Sequence, residues 1–135
     1  MKARIDPTHV APGVIHAMLG LERQVRQAGF DSKLLDLVRM RASQINGCAY
    51  CLDMHSKDAR ANGETEQRLY GLDAWRETPY YSPRERVREQ FSEDELVHLS
   101  LAIVSINGWN RLNVAARTVP GGYVAESNAK LHAAS

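Results

Sequence analysis

Apolar residues recur three and four positions apart through most of the chain, and a glycine or proline cuts each run short. That spacing lays one apolar stripe along a helix, whereas a half-buried strand needs strict alternation. After Pro12, the residues Val14, Ile15, Met18, Leu19 and Val25 fall on one stripe, and Gly29 supplies the stop. Asp31 or Ser32 can cap a second helix carrying Leu34, Leu35, Leu37, Val38, Met40 and Ile45, which Asn46-Gly47 ends. A third helix is predicted from about Gly47 or Cys48 to about Ala61, before the Asn62-Gly63 break. A fourth runs from about Thr65 to Arg76 with Leu69, Leu72 and Trp75 on one face, and Thr78-Pro79 closes it. Ser82-Pro83 opens a short polar segment to Gln90. Ser92 and Glu95 have the spacing of a capping box ahead of the most apolar helix, Leu96 to about Ile106. Gly108 is expected to interrupt that helix, with Trp109 to Arg117 as a further one. The fold class is therefore all-α. One domain over 1–122 is expected, followed by a loosely attached tail at 123–135.

A chain of 135 residues is long enough to bury one core. Its 17 basic and 16 acidic residues nearly cancel and are interspersed, so charge gives no case for nucleic acid or an anionic membrane as partner. The longest apolar-leaning run, Leu99 to Ile106, is far short of the ~20 residues a membrane span needs. The first residues lack the apolar stretch of a signal peptide, and the chain reads as cytoplasmic. In a reducing compartment two cysteines point to catalysis or metal binding rather than to a structural staple.

Those two cysteines are Cys48 and Cys51, and His55 follows one turn later. On a helix the three side chains share a face over two turns. Cys48 falls at the helix start, where free N–H groups and the dipole favour a thiolate, the reactive form of sulfur. Sulfurs one turn apart can close a disulfide, so one resolves what the other becomes on oxidation. His55 can relay a proton near neutral pH. Two other readings stay open. Both cysteines can serve as buried small hydrophobes. A zinc site would need a fourth ligand from His9, His16, His98 or His132. Covalent haem is excluded because Leu52 stands where the attachment motif needs histidine. Asp36 lies on the preceding helix across the Asn46-Gly47 turn; spacing alone favours an ordinary solvated charge there.

The stretch from Leu34 to Gly63, with CxxC-x3-H preceded by Arg41-x-Ser43-Gln44-x-Asn46-Gly47, resembles the carboxymuconolactone decarboxylase superfamily in its AhpD-like alkylhydroperoxidase branch. The resemblance continues through Glu64 to Tyr70 and Trp75 to Thr78, and resumes from Phe91 to Arg117 with its Trp109-Asn110-Arg111. It implies an all-helical, oligomeric protein that reduces hydroperoxides with the dithiol and is re-reduced by a thiol or lipoyl-type donor. It implies that peroxide attacks Cys51, that Cys48 resolves the disulfide, and that His55 and an acid at the position of Asp36 relay protons. No metal or organic cofactor enters that scheme. Three departures stand out. Asp36 occupies a position where the family has glutamate, Tyr50 replaces a histidine between the cysteines, and the chain is short of one helical segment between residues 83 and 92.

Two other functions remain in view. One is a decarboxylase acting on a lactone or related small acid, which would not need Cys51. The other is a redox sensor or helical interaction module that does not turn over. Among further residues, Asn110 and Arg111 can anchor a helix end or a subunit contact, His98 and His16 read as structural, and Arg39 and Arg41 as solvated charges.

Overall fold

The computed structural model describes residues 1–86 and 88–125. Among these it contains seven α-helices, two 3₁₀ turns and no strand. They are α1 (Pro7–Val10), α2 (Pro12–Gln27), α3 (Ser32–Asn46), α4 (Ala49–Ala61), α5 (Glu66–Gly71), α6 (Pro83–Arg86) and α7 (Glu93–Ala116). The 3₁₀ turns are Leu72–Ala74 and Arg88–Gln90. Val87, within the shortened stretch, and 126–135, most of the expected tail, lie outside the described residues.

Capping chemistry sets most of the boundaries. The Asp31 carboxylate accepts the Lys33 N–H at 3.1 Å and starts α3. Gly47 ends it in the left-handed region at φ 64°, where a side chain would be strained. The Gly47 and Cys48 N–H groups return to the carbonyls of Gln44 and Ser43, satisfying two of the last turn's free acceptors. Ser92 and Glu95 form the expected capping box of α7, with reciprocal bonds of 2.8 and 3.2 Å. The small helix α1 was not expected, although Asp6 before Pro7 is a cap followed by proline in the first turn.

Helix α3 lies between α4 and α7, and α2 packs along α7. One core cluster joins Leu37 and Met40 of α3 to Ala59, Leu69, Leu72 and Tyr81, with Leu52 and Trp75 against it. A second joins Val25, Leu35 and Ala102, with Phe30 and Leu101. Each fully buried Leu or Met in them contributes about 2 kcal/mol by leaving water.

One expectation is corrected. Gly108 does not break the last apolar helix: α7 runs unbroken for 24 residues through it. A Cβ at 108 would meet Met18 Cε at 2.7 Å, so the missing side chain leaves room for the Met18 methyl of α2 rather than ending α7. The helix stops at Arg117, which is left-handed at φ 54°. The expected fourth helix is also shorter than its pattern, with α5 tightening into the 3₁₀ turn Leu72–Ala74.

Polar ties hold the shortened stretch. Arg68 pairs with Glu64 and Glu85, its guanidinium lies over the Tyr81 ring at 4.9 Å, and Tyr81 Oη donates to the Arg68 carbonyl. Arg84 pairs with Glu95 and covers the Phe91 ring. An apolar groove of about 270 Å³ remains beside it, lined by Leu34, Ile45, Trp75 and Ile103 among others.

Candidate active site

The α3–α4 hairpin builds the site. Its tight Gly47 turn delivers Cys48 as the residue that caps α4, with extended backbone and its sulfur accepting the Cys51 N–H at 3.3 Å. Cys48 thus fills the place that Ser or Asp takes at most helix starts, one residue before the first turn. Cys48 and Cys51 are joined by a disulfide with their Cα atoms 5.3 Å apart, and both are buried.

His55 lies one turn beyond Cys51 and is 7% exposed. Among the described residues, neither ring nitrogen has a hydrogen-bond partner; Nδ1 sits 3.7 Å from Asp58 Oδ2, an ionic separation. A buried imidazole without partners is costly unless something else satisfies it. Burial opposes charge on Asp58, but the facing imidazole and the Tyr123 hydroxyl, bonded at 2.7 Å, hold its carboxyl below the ordinary range.

Asp36 is 3% exposed on α3, not a solvated charge. Its Oδ2 accepts from Asn62 Nδ2 at 2.6 Å, and Arg39 Nη1 stands 3.9 Å from Oδ1. Burial pushes its carboxyl pKa up; Asn62 and Arg39 offset part of the shift, and the neighbouring Asp58 adds to it. Arg39 is also not a free charge. It pairs with Glu22 at 2.9 Å, and Glu22 accepts the buried Ser105 hydroxyl at 2.7 Å, so α2, α3 and α7 meet in one polar chain. Arg41 turns away to Gln44 and Asp73.

A cavity of about 890 Å³ opens beside these groups. Asp36, Tyr50, His55, Asp58 and Asn113 line its polar side, and Ile15, Leu19, Phe30, Trp109 and Leu112 its apolar side. His55 and Asp36 therefore share one cavity wall, although Asp36 makes its direct hydrogen bond to Asn62. Tyr50, between the cysteines, joins the wall as well. Among the described residues, no group of three or more His, Cys, Asp or Glu side chains is placed to hold a metal ion.

Helix α7 closes the other side. Asn110 is fully buried, donates to Ser43 Oγ at 3.1 Å and accepts from Asn46 at 2.9 Å, while Asn107 takes a second bond from Asn46 at 2.6 Å. Asn110 thus anchors the end of α3 just before the Gly47 turn, whereas Arg111 points to solvent. His98 bonds the Asp94 carbonyl within its own helix. The sequence reading passed over Asp58, Asn62 and Asn113. Asp58 was legible as the i+3 neighbour of His55, and Asn62 was read only as a helix stop. Asn113 carried no signal, because nothing local says that α7 crosses the dithiol.

The sequence profile of the carboxymuconolactone decarboxylase family matches residues 12–88, which include Asp36, both cysteines and His55. The chain belongs to the carboxymuconolactone decarboxylase family. An uncharacterised protein of Bacillus subtilis (strain 168), YdfG, is 37% identical over 85% of this chain and 95% of its own length. That alignment runs over 139 residues, more than the 135 present here, so this relative carries residues with no counterpart in this chain. A crystallised Agrobacterium tumefaciens protein superposes with a TM-score of 0.85 at 33% identity, covering 90% of this chain and all of the other. That protein is described as being of unknown function and as a candidate antioxidant-defence protein, AhpD. The family and the all-helical AhpD-like fold that the sequence resemblance implied are both found.

Proposed function

We propose that this family member is a thiol-dependent peroxidase that reduces hydroperoxides through Cys48 and Cys51. The observation that carries the reading is the Cys48–Cys51 disulfide at the start of α4, next to a buried His55 that lines a cavity and whose ring nitrogens have no hydrogen-bond partner among the described residues. The likeness to a candidate antioxidant-defence protein supports it.

In the reduced enzyme, the Cys51 thiolate attacks one peroxide oxygen. The S–O bond forms as the O–O bond breaks, and the departing alkoxide takes a proton to leave as alcohol. His55 is the proton donor, reprotonated through the neighbouring carboxylic acid of the cavity wall, Asp36, while the Asp58 carboxylate faces the imidazolium. Asp36 suits the relay because burial holds its proton more firmly than water would. Cys48 then attacks the Cys51 sulfenic acid sulfur: the S–S bond forms as the S–O bond breaks, and the Cys48 thiol proton joins the departing hydroxyl to leave as water. An external dithiol restores both thiols by exchange, becoming a disulfide itself. A thiol or lipoyl-type donor in a reducing, cytoplasmic setting fits this step.

We assign the chemistry to one domain over 1–122 and take the working form as a homo-oligomer, since Ile45, Ile103 and Val104 stand exposed on α3 and α7. Among the described residues, no helix is long and apolar enough to cross a membrane. The test is steady consumption of an organic hydroperoxide with a dithiol donor. Wild type should turn over and Cys51→Ser should not. No consumption by wild type would overturn the reading, and a lactone-decarboxylating activity that survives Cys51→Ser would replace it with the decarboxylase alternative.

A further inference from the structure

The two sulfurs of the pair have different hydrogen-bond donors. Cys48 Sγ receives a backbone N–H from the first turn of its own helix. Cys51 is the third residue of α4, and its own N–H is the one that Cys48 Sγ accepts. Its sulfur instead meets a side chain from another helix: Asn113 Nδ2 of α7 lies 3.6 Å from Cys51 Sγ. The same amide nitrogen donates to the Trp109 carbonyl at 2.9 Å, one turn earlier in α7. A carbonyl can only accept, so this bond fixes which end of the amide is nitrogen. Of its two hydrogens, one is spent on Trp109 and the other is left for the sulfur. Asn113 also lines the cavity that His55 lines, so it stands between that cavity and the fully buried Cys51.

We propose that Asn113 is a further catalytic residue: its amide donates to Cys51 Sγ, stabilising the attacking thiolate and then the sulfenate that replaces it. This rests on the reading of Cys51 as the sulfur that peroxide oxidises. A donor aimed at a developing or resident negative charge acts more strongly in a water-poor site than at the surface, and a bond to a charged acceptor is stronger than one to a neutral acceptor. The donor is neutral, so it favours thiolate without adding a charge to a wall that already holds Asp36, Arg39, His55 and Asp58, with Glu22 and Arg26 farther along α2.

The experiment measures the pH profile of Cys51 alkylation by iodoacetamide in a Cys48→Ser background, where Cys51 is the only thiol. Asn113→Ala removes the donor, and Asn113→Asp keeps the shape but turns an acceptor toward the sulfur. The Trp109 carbonyl keeps its backbone partner within α7, so neither change leaves it unpaired. The thiol pKa should rise by about one unit in Asn113→Ala and further in Asn113→Asp, with about tenfold less thiolate at neutral pH in the former. The charged groups of the wall are unchanged in Asn113→Ala, so its shift belongs to the lost donor. Superimposable profiles for the parent and both variants would overturn the assignment. Because alkylation needs no peroxide, that outcome is distinct from a failure of the peroxidase reading, which would appear as wild type inert to hydroperoxide with the Asn113 shift intact.

Discussion

Replacing Asn110 by alanine tests how α7 holds the turn that presents Cys48. Asn110 is fully buried and joins two side chains of the last turn of α3. Its loss leaves the Ser43 hydroxyl, also fully buried, without the amide that donates to it. An unsatisfied buried polar group costs about 1–3 kcal/mol, and the lost bond to Asn46 adds about 1 kcal/mol, since Asn46 keeps Asn107. The expected loss is about 3 kcal/mol, a large share of the ~5–15 kcal/mol that holds a domain together. Urea unfolding, with disulfide state matched, measures it. Adding Ser43→Ala removes the orphaned hydroxyl, so the double variant should lose at least about 1 kcal/mol less than the sum of the single variants. A loss below about 0.5 kcal/mol for Asn110→Ala, or strict additivity in the cycle, would refute the anchoring argument.

Other outcomes follow from the same structure. Gly47→Ala should lose about 1 kcal/mol by chemical denaturation through backbone strain alone, because a Cβ there meets nothing within 4 Å at φ 64°. Asp36 holds its proton more tightly folded than unfolded, so its contribution to stability is fully present below the unfolded value near 3.8 and is lost as pH rises through the raised folded value. The stability of Asp36→Asn relative to wild type should therefore grow with pH across that window, as melting temperatures would record. Ile45→Lys, charging an exposed apolar position of α3, should lower the sedimentation coefficient if copies meet on that face; an unchanged value would remove the face from the assembly.

Local signals carried most of the fold. The Ser92–Glu95 capping box, the Asn46-Gly47 stop and the stripe of Leu34, Leu35, Leu37 and Met40 on α3 are all properties of neighbours within one or two turns, and each is found where the sequence put it, whereas Val14 and Leu19 of the α2 stripe and Ile45 of α3 stand exposed. Gly108 was misread because a glycine's meaning in a helix depends on what approaches it, and Met18 lies ninety residues away in sequence. The candidate site divides in the same way. The line of Cys48, Cys51 and His55 follows from helical spacing alone, while the burial of Asp36 depends on α4 folding back to bring Asn62 against it. Asn113 and Asn110 act from a helix whose path across the hairpin no local pattern encodes.

The central claim is that Cys51 takes oxygen from peroxide and Cys48 resolves it. The most direct measurement is intact mass with peptide mapping after the fully reduced protein meets one equivalent of hydroperoxide, alone and as Cys48→Ser in the presence of a sulfenic acid trap. Wild type should lose two hydrogens and carry a Cys48–Cys51 disulfide, and Cys48→Ser should carry the trap on Cys51. Free thiols in the treated wild type, or a Cys51 that stays untrapped in Cys48→Ser, would contradict the account.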